Sequence, residues 1–341
     1  MNMGNHFKKA GAVLISLMML VTSVTGCSKA GAADGPKTWK IGHVRPQGTP
    51  ADNDVNAFAQ ALNEASGGDI TLEVYPSGSL GDYTVVQERV GLGDVEMQLA
   101  PTATGVDKTL GLPVAPYLVR NWEEAKEVYK KGGPLMNVVE ERFAKQGIKV
   151  LASYPVYFGG IALTKKPNDP ANFDVNKMKI RVPSMKAYEK SAQALGYQAT
   201  PLAFSEAFTA MQTGIVDGAI GSGAEGYYSS FRDVTKYYLP VNDHFEMWYL
   251  YMSMDVYNSL SDEDQKMIEG VAAKMEADRY EVAEQQQEEF ETKLKEAGIE
   301  VIEFTEAEID KMAEKVRKEV WPVIAEEYGK EEFESITKDL K

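Results

Sequence analysis

The chain has 341 residues, with 36 Lys and Arg against 51 Asp and Glu and a formal net charge of −15. Hydrophobic residues at 44% and charged residues at 26% exclude disordered and collagen-like chains, and the acidic balance argues against a nucleic-acid partner. One cysteine (Cys27) and three histidines (His6, His43, His244) exclude an intramolecular disulfide framework and a thiolate metal cluster, so no metal and no cofactor is expected.

Residues 1–26 read as a secretion signal. Lys8 and Lys9 supply the positive start, and Ala10 to Val24 is an apolar run too short to span a bilayer comfortably. Val24-Thr25-Gly26-Cys27 resembles a bacterial lipobox, which implies cleavage before Cys27 and a lipid on its sulfur. An ordinary signal peptide with a chance cysteine is the alternative. Residues 27–37 are small and polar, a tether. The remainder is expected as a body outside the cell, lipid-anchored to the membrane in the periplasm or on its outer face.

In the body, Trp39 to Val44 alternates as a first strand, and Thr49-Pro50 opens a helix over Asn53–Ala65. Ile70–Tyr75 is a second strand, a helix covers about 82–92, and Glu96–Ala100 is a short strand. Asn121 with Glu124 starts helices that run to about Gln146. Lys149–Ser153, Phe158–Thr164, Lys179–Val182 and Val216–Ile220 are strand candidates, with helices at Ser184–Leu195 and Ser205–Thr213 among them. His244–Met254 is a long aromatic strand, and Ser261 with Asp264 starts a long helix to about Lys295. Ile299–Phe304 reads as a strand, and Thr305 with Glu308 caps an amphipathic helix bent at Pro322. This alternation predicts an α/β fold with largely parallel sheets.

Few residues suggest chemistry. Gly221-Ser222-Gly223-Ala224-Glu225-Gly226 fits a dinucleotide fingerprint formally, but it lies deep in the chain and reads better as a tight strand-to-helix connection. No nucleophile elbow, P-loop or zinc-protease motif is present. His43 and His244 lack metal-ligand spacing and read as surface or structural residues. Arg181 stands out, a charge between Ile180 and Val182 in mid-strand. Its planar fork fits a carboxylate, although an internal salt bridge or an outward-facing edge position would also accommodate it.

Several stretches, in order, resemble the extracytoplasmic solute receptors of TRAP transporters, the dicarboxylate-receptor-like family. They are Glu73 to Gly81, Pro116 to Asn121, Lys177-Met178-Lys179-Ile180-Arg181-Val182-Pro183, Leu195-Gly196 with Pro201, Met211 to Gly218, and Leu260 to Gln265. The resemblance spans residues 38 to about 335. It implies a two-lobed, periplasmic-binding-protein-like α/β fold with a long C-terminal helix spanning both lobes. Lobe I would be 38–155 with about 245–260, lobe II 156–244, and 261–341 the hinge-spanning helix and its followers. It further implies a monomeric, non-enzymatic receptor that closes on a small organic acid and delivers it to the membrane subunits of an ion-driven TRAP permease.

In the family the arginine matching Arg181 holds the ligand carboxylate. Two departures are visible. Gly221 stands where many members carry asparagine, and Gly159-Gly160 occupy a region where many carry a second arginine, which should widen the cleft. With Tyr154, Tyr157, Phe158, Phe204, Trp248 and Tyr251 near in sequence, the expected ligand is a carboxylate with an apolar or aromatic body. The expected site is Arg181, Tyr157, Phe158, Phe204, Gly221, Ser222 and Trp248. An ABC-transporter receptor is the alternative among binding proteins; a secreted lipoprotein hydrolase would need a catalytic set that the histidine and cysteine counts do not supply.

Overall fold

In β1 (Lys37–His43) the buried Trp39 and Ile41 alternate with the exposed Thr38 and Lys40, the period-two signature of a strand with one face on a core. The computed structural model describes residues 35–338 and residue 340, so the signal segment, Cys27 and most of the tether lie outside the described residues. Ten further strands follow: β2 (Ile70–Tyr75), β3 (Met97–Ala100), β4 (Ile148–Phe158), β5 (Gly160–Leu163), β6 (Lys179–Val182), β7 (Gln198–Pro201), β8 (Gly218–Ser222), β9 (Tyr237–Leu239), β10 (Phe245–Ser253) and β11 (Glu300–Val301).

They form two sheets, ordered β2-β1-β3-β10-β4 and β11-β9-β5-β8-β6-β7. In each sheet a single strand runs against the others, β10 in the first and β5 in the second. These are the strands by which the chain arrives from the other sheet. It leaves the first sheet at the end of β4, turns through Gly159 and enters the second as β5; it returns from β9 through 240–244 into β10. The crossings lie side by side, with Gly159 N–H donating to the His244 carbonyl at 2.8 Å. Each sheet heads one lobe, so the fold is two-lobed.

A 35-residue helix, Asp262–Glu296, ties the lobes together. Ser261 caps it by accepting from Asp264 N–H at 3.1 Å, and Asp262, Glu263 and Asp264 complement the positive end of its dipole. Its Ile268 and Ala272 enter the core of the first lobe, and its Phe290 and Leu294 enter that of the second. Between them Arg279 is buried; its Nε donates to the Pro155 carbonyl at 2.7 Å and its Nη2 to the Val156 carbonyl at 3.3 Å. Gln287 Oε1 accepts from Phe158 N–H at 2.8 Å, so the helix grips β4 up to the crossing.

Several expectations change. The strands expected at Lys149–Ser153 and Phe158–Thr164 are β4 and β5; β4 runs on through Pro155 because the ladder with β10 shifts register between Glu246 and Met247. The strand expected over Ile299–Phe304 shrinks to two residues, and the helix Glu306–Tyr328 continues through Pro322. Among the described residues no helix is long and apolar enough to cross a membrane.

Candidate functional site

Side chains from both lobes meet where the sheets face each other. The first lobe contributes Arg45 from the loop after β1, Tyr157 of β4, and Glu246 and Trp248 of β10; the second contributes Arg181 of β6, Phe204, and Gly221 and Ser222 of β8. The cavity among them and their neighbours is small, about 30 Å³, so the lobes stand nearly closed.

Arg181 is 3% exposed. β6 lies between β8 and β7, so the position is not at a sheet edge. Its Nε donates to the Leu202 carbonyl at 3.0 Å, and its guanidinium lies 5.8 Å from the Phe204 ring. No aspartate or glutamate among the described residues pairs with it, which leaves the salt-bridge alternative without a partner. Burial lowers its pKa, offset only in part by Tyr83, Tyr227, Tyr188 and Asp82 nearby. A desolvated guanidinium with open donors is what a carboxylate can satisfy.

Arg45, 1% exposed, is treated differently. Its Nε donates to Glu225 Oε2 at 2.8 Å, its Nη2 to the Tyr157 hydroxyl at 2.9 Å, and its guanidinium lies 4.9 Å from the Trp248 ring. Burial works against its charge, but Glu225 and Tyr157 more than offset it, and its pKa ends above the ordinary value. Arg45 follows β1 and Glu225 follows β8, so this buried pair bridges the lobes. The glycine-rich run makes the approach possible. A Cβ on Gly226 would sit 2.7 Å from Arg45 Nη2, and one on Gly223 would sit 2.5 Å from Tyr157 Cδ2.

At the second crossing, His244 Nδ1 bonds Asp243 Oδ2 at 2.8 Å, and Nε2 lies 3.3 Å from Glu246 Oε2, an ion contact out of hydrogen-bonding line. Burial lowers its pKa but the two carboxylates overcome that, and it is pushed up to about 10. Glu246 also accepts from Trp248 Nε1 at 2.6 Å and the Tyr188 hydroxyl at 3.3 Å. His43 is buried against Asp52 at 3.2 Å, so neither of these histidines lies at the surface.

Of the expected site residues, Arg181, Tyr157, Phe204, Gly221, Ser222 and Trp248 line the cavity. Phe158 does not. The pleat turns it opposite to Tyr157, against Trp122 at 5.9 Å and Phe245 at 5.0 Å. Tyr154 and Tyr251 also turn away, their hydroxyls donating to Asp54 at 2.7 Å and Gln98 at 2.6 Å. Cys27 lies outside the described residues. The expectation that Gly159-Gly160 widen the cleft is corrected. A Cβ on Gly159 would strike His244 Cε1 at 2.0 Å and one on Gly160 would meet Tyr238 Cε2 at 2.6 Å, so these glycines accommodate packing. Gly221 does face the cavity, at φ +95° with Pro183 where a Cβ would go. Arg45, Tyr83, Tyr188 and Glu246 were not expected there.

The family model described as bacterial extracellular solute-binding protein, family 7, matches residues 41–327. A solute-binding protein of Roseobacter denitrificans is 29% identical over 262 residues, 74% of this chain and 77% of its own. The crystal structure of a sugar acid binding protein from Advenella mimigardefordensis in complex with galactonate superposes with a TM-score of 0.82 at 23% identity, covering 89% of this chain and 97% of that one. A TRAP periplasmic solute binding protein from Desulfovibrio salexigens with bound orotic acid gives 0.80 at 22% identity, covering 88% and 96%.

Proposed function

The chain belongs to bacterial extracellular solute-binding protein family 7, and from that premise we propose that it is the solute receptor of a TRAP transporter, taking a small organic carboxylate between its lobes and handing it to an ion-gradient-driven membrane permease. It is a binding protein and not an enzyme. The observation that carries the reading is Arg181, a buried guanidinium without a carboxylate partner among the described residues, open to an interlobe cavity.

A ligand carboxylate would take the two Nη groups as a fork. Closure removes water, and the lower dielectric strengthens that contact. The moving bodies are residues 38–158 with about 245–260 against 160–239, turning about Gly159 and residues 240–244. The rest of the wall is mostly rings and aliphatic chains, among them Tyr83, Val114, Met185 and Tyr188, which favours a ligand with an apolar or aromatic body. The orotate of the Desulfovibrio protein is such a molecule; the galactonate of the Advenella protein has one carboxylate on a polar chain. Cys27 would carry the lipid that keeps the receptor, a monomer, at the membrane.

Mass spectrometry of the small molecules released by denaturing the purified protein, followed by calorimetric titration of the acid found, tests the reading. Trp248 lines the cavity, so its fluorescence should change on binding, and the scattering radius should fall. A protein that releases no organic acid and binds none from a broad carboxylate panel would refute it. Fatty-acid labelling that survives Cys27→Ala would refute the anchor alone.

A further inference from the structure

Among the described residues two cations line the cavity, and they present different charges to a ligand. Arg181 has no anionic partner, whereas the charge of Arg45 is already met by Glu225 across the cleft. Tyr157 takes a second edge of Arg45 and Trp248 covers its face, so this end of the cavity offers a ligand a neutralised pair in an aromatic setting. Near the second crossing, two carboxylates, Asp243 and Glu246, surround one imidazolium, His244, and Glu246 lines the cavity.

We propose that the cross-lobe pair Arg45–Glu225 makes the cleft selective for ligands with a single carboxylate. A diacid anchored on Arg181 would have to place its second carboxylate in the remaining wall. Beside Arg45 that group competes with Glu225 for the same guanidinium; toward β10 it faces the negative Asp243–His244–Glu246 group. In a closed cleft like charges repel strongly, and this repulsion rejects the wrong ligand. Because the pair spans the lobes, a diacid that disturbed it would also oppose closure. This inference rests on Arg181 as the carboxylate anchor.

The test is calorimetric titration of matched acids that differ in one carboxylate: galactonate with galactarate, pentanoate with glutarate, and benzoate with terephthalate, plus orotate. The wild type should bind at least one monoacid, and bind it at least about tenfold tighter than its diacid counterpart. Glu225→Gln leaves Arg45 unmatched and should narrow that ratio by about tenfold or more, or invert it. The double variant Arg45→Gln/Glu225→Gln, neutral again, should regain the preference, a recovery that a merely structural role for the pair would not give. Thermal unfolding checks each variant, and Glu225→Met replaces Glu225→Gln if the latter does not fold. Equal or tighter diacid binding by the wild type, or a ratio unmoved in the folded Glu225 variant, overturns the selectivity and leaves the receptor reading standing. Binding of none of these acids, monoacid or diacid, by a protein that also releases no organic acid on denaturation overturns both.

Discussion

The cleft and the helix that backs it each bury an arginine, both 3% exposed, and they treat its charge in opposite ways. Arg279, on the helix Asp262–Glu296, donates to the Pro155 and Val156 carbonyls and to Gln286, with the Tyr154 ring 4.8 Å away. Its donors are spent on holding the helix to β4. Arg181 makes one bond to a carbonyl and keeps the rest of its fork for the cavity. Burial alone therefore does not separate a binding residue from a structural one; the number of acceptors already engaged does.

The largest expected effect breaks this contrast at the cleft. Arg181→Ala should weaken binding of the identified acid by about 30-fold to several thousandfold, roughly 2–5 kcal/mol, while the ligand-free protein unfolds at the same temperature or higher. Arg181→Lys should also bind clearly less tightly, because an ammonium cannot reproduce the fork. Titration and calorimetric unfolding read both. A destabilised but fully binding Arg181→Ala protein would move Arg181 into the class of Arg279.

The converse variant, Arg279→Ala, should cost stability instead, about 3 kcal/mol from two stranded carbonyls and lost packing. Affinity per folded molecule should change little; denaturant unfolding beside titration separates the two. Next comes the crossing itself. Gly159→Ala puts a methyl against His244 and Asp243 and should cost about 1–3 kcal/mol, with a changed scattering radius in the ligand-free protein.

The last effect is a pH slope. His244 is held at about 10 against an ordinary 6.5, so its contribution to stability is whole below pH 6.5 and fades as pH rises through 10. The wild-type unfolding midpoint should fall across that range, and His244→Gln, less stable at pH 6.5, should show a flatter course. Parallel wild-type and variant curves would remove His244 from the stability of the hinge.

The same contrast explains what could be read without coordinates. Arg181 was legible because a charge flanked by Ile180 and Val182 contradicts its surroundings. Arg45 was not, since His43-Val44-Arg45-Pro46 looks like a strand end opening into a loop, where an arginine is ordinary; its partner Glu225 lies 180 residues away. The alternation rule could have excluded Phe158, because adjacent residues of one strand face opposite sides and Tyr157 takes the cleft side. The long helix carried its own cap in Ser261 and Asp264 and appeared at nearly its full length. β7 and β9, with four and three residues, are too short to show a period, and Pro155 concealed the continuity of β4 because the bulge beside it, with Val156 as the extra residue, shows only once β4 is paired with β10.

The place of β10 also sets the order in which the molecule can be completed. It lies between β3 and β4 at the heart of the first sheet, yet it is made only after β5 to β9. A chain emerging N-terminus first through a ribosome or a translocation pore therefore has its first lobe in two pieces, β2-β1-β3 and a detached β4, until about residue 253 has appeared. The strands of the second lobe apart from β11 are by then all present in one uninterrupted segment. The two lobes thus differ in timing: the C-terminal half of the cleft can begin to form as a local event, whereas the N-terminal half waits on a contact between distant parts of the chain, with open strand edges exposed meanwhile to neighbouring molecules.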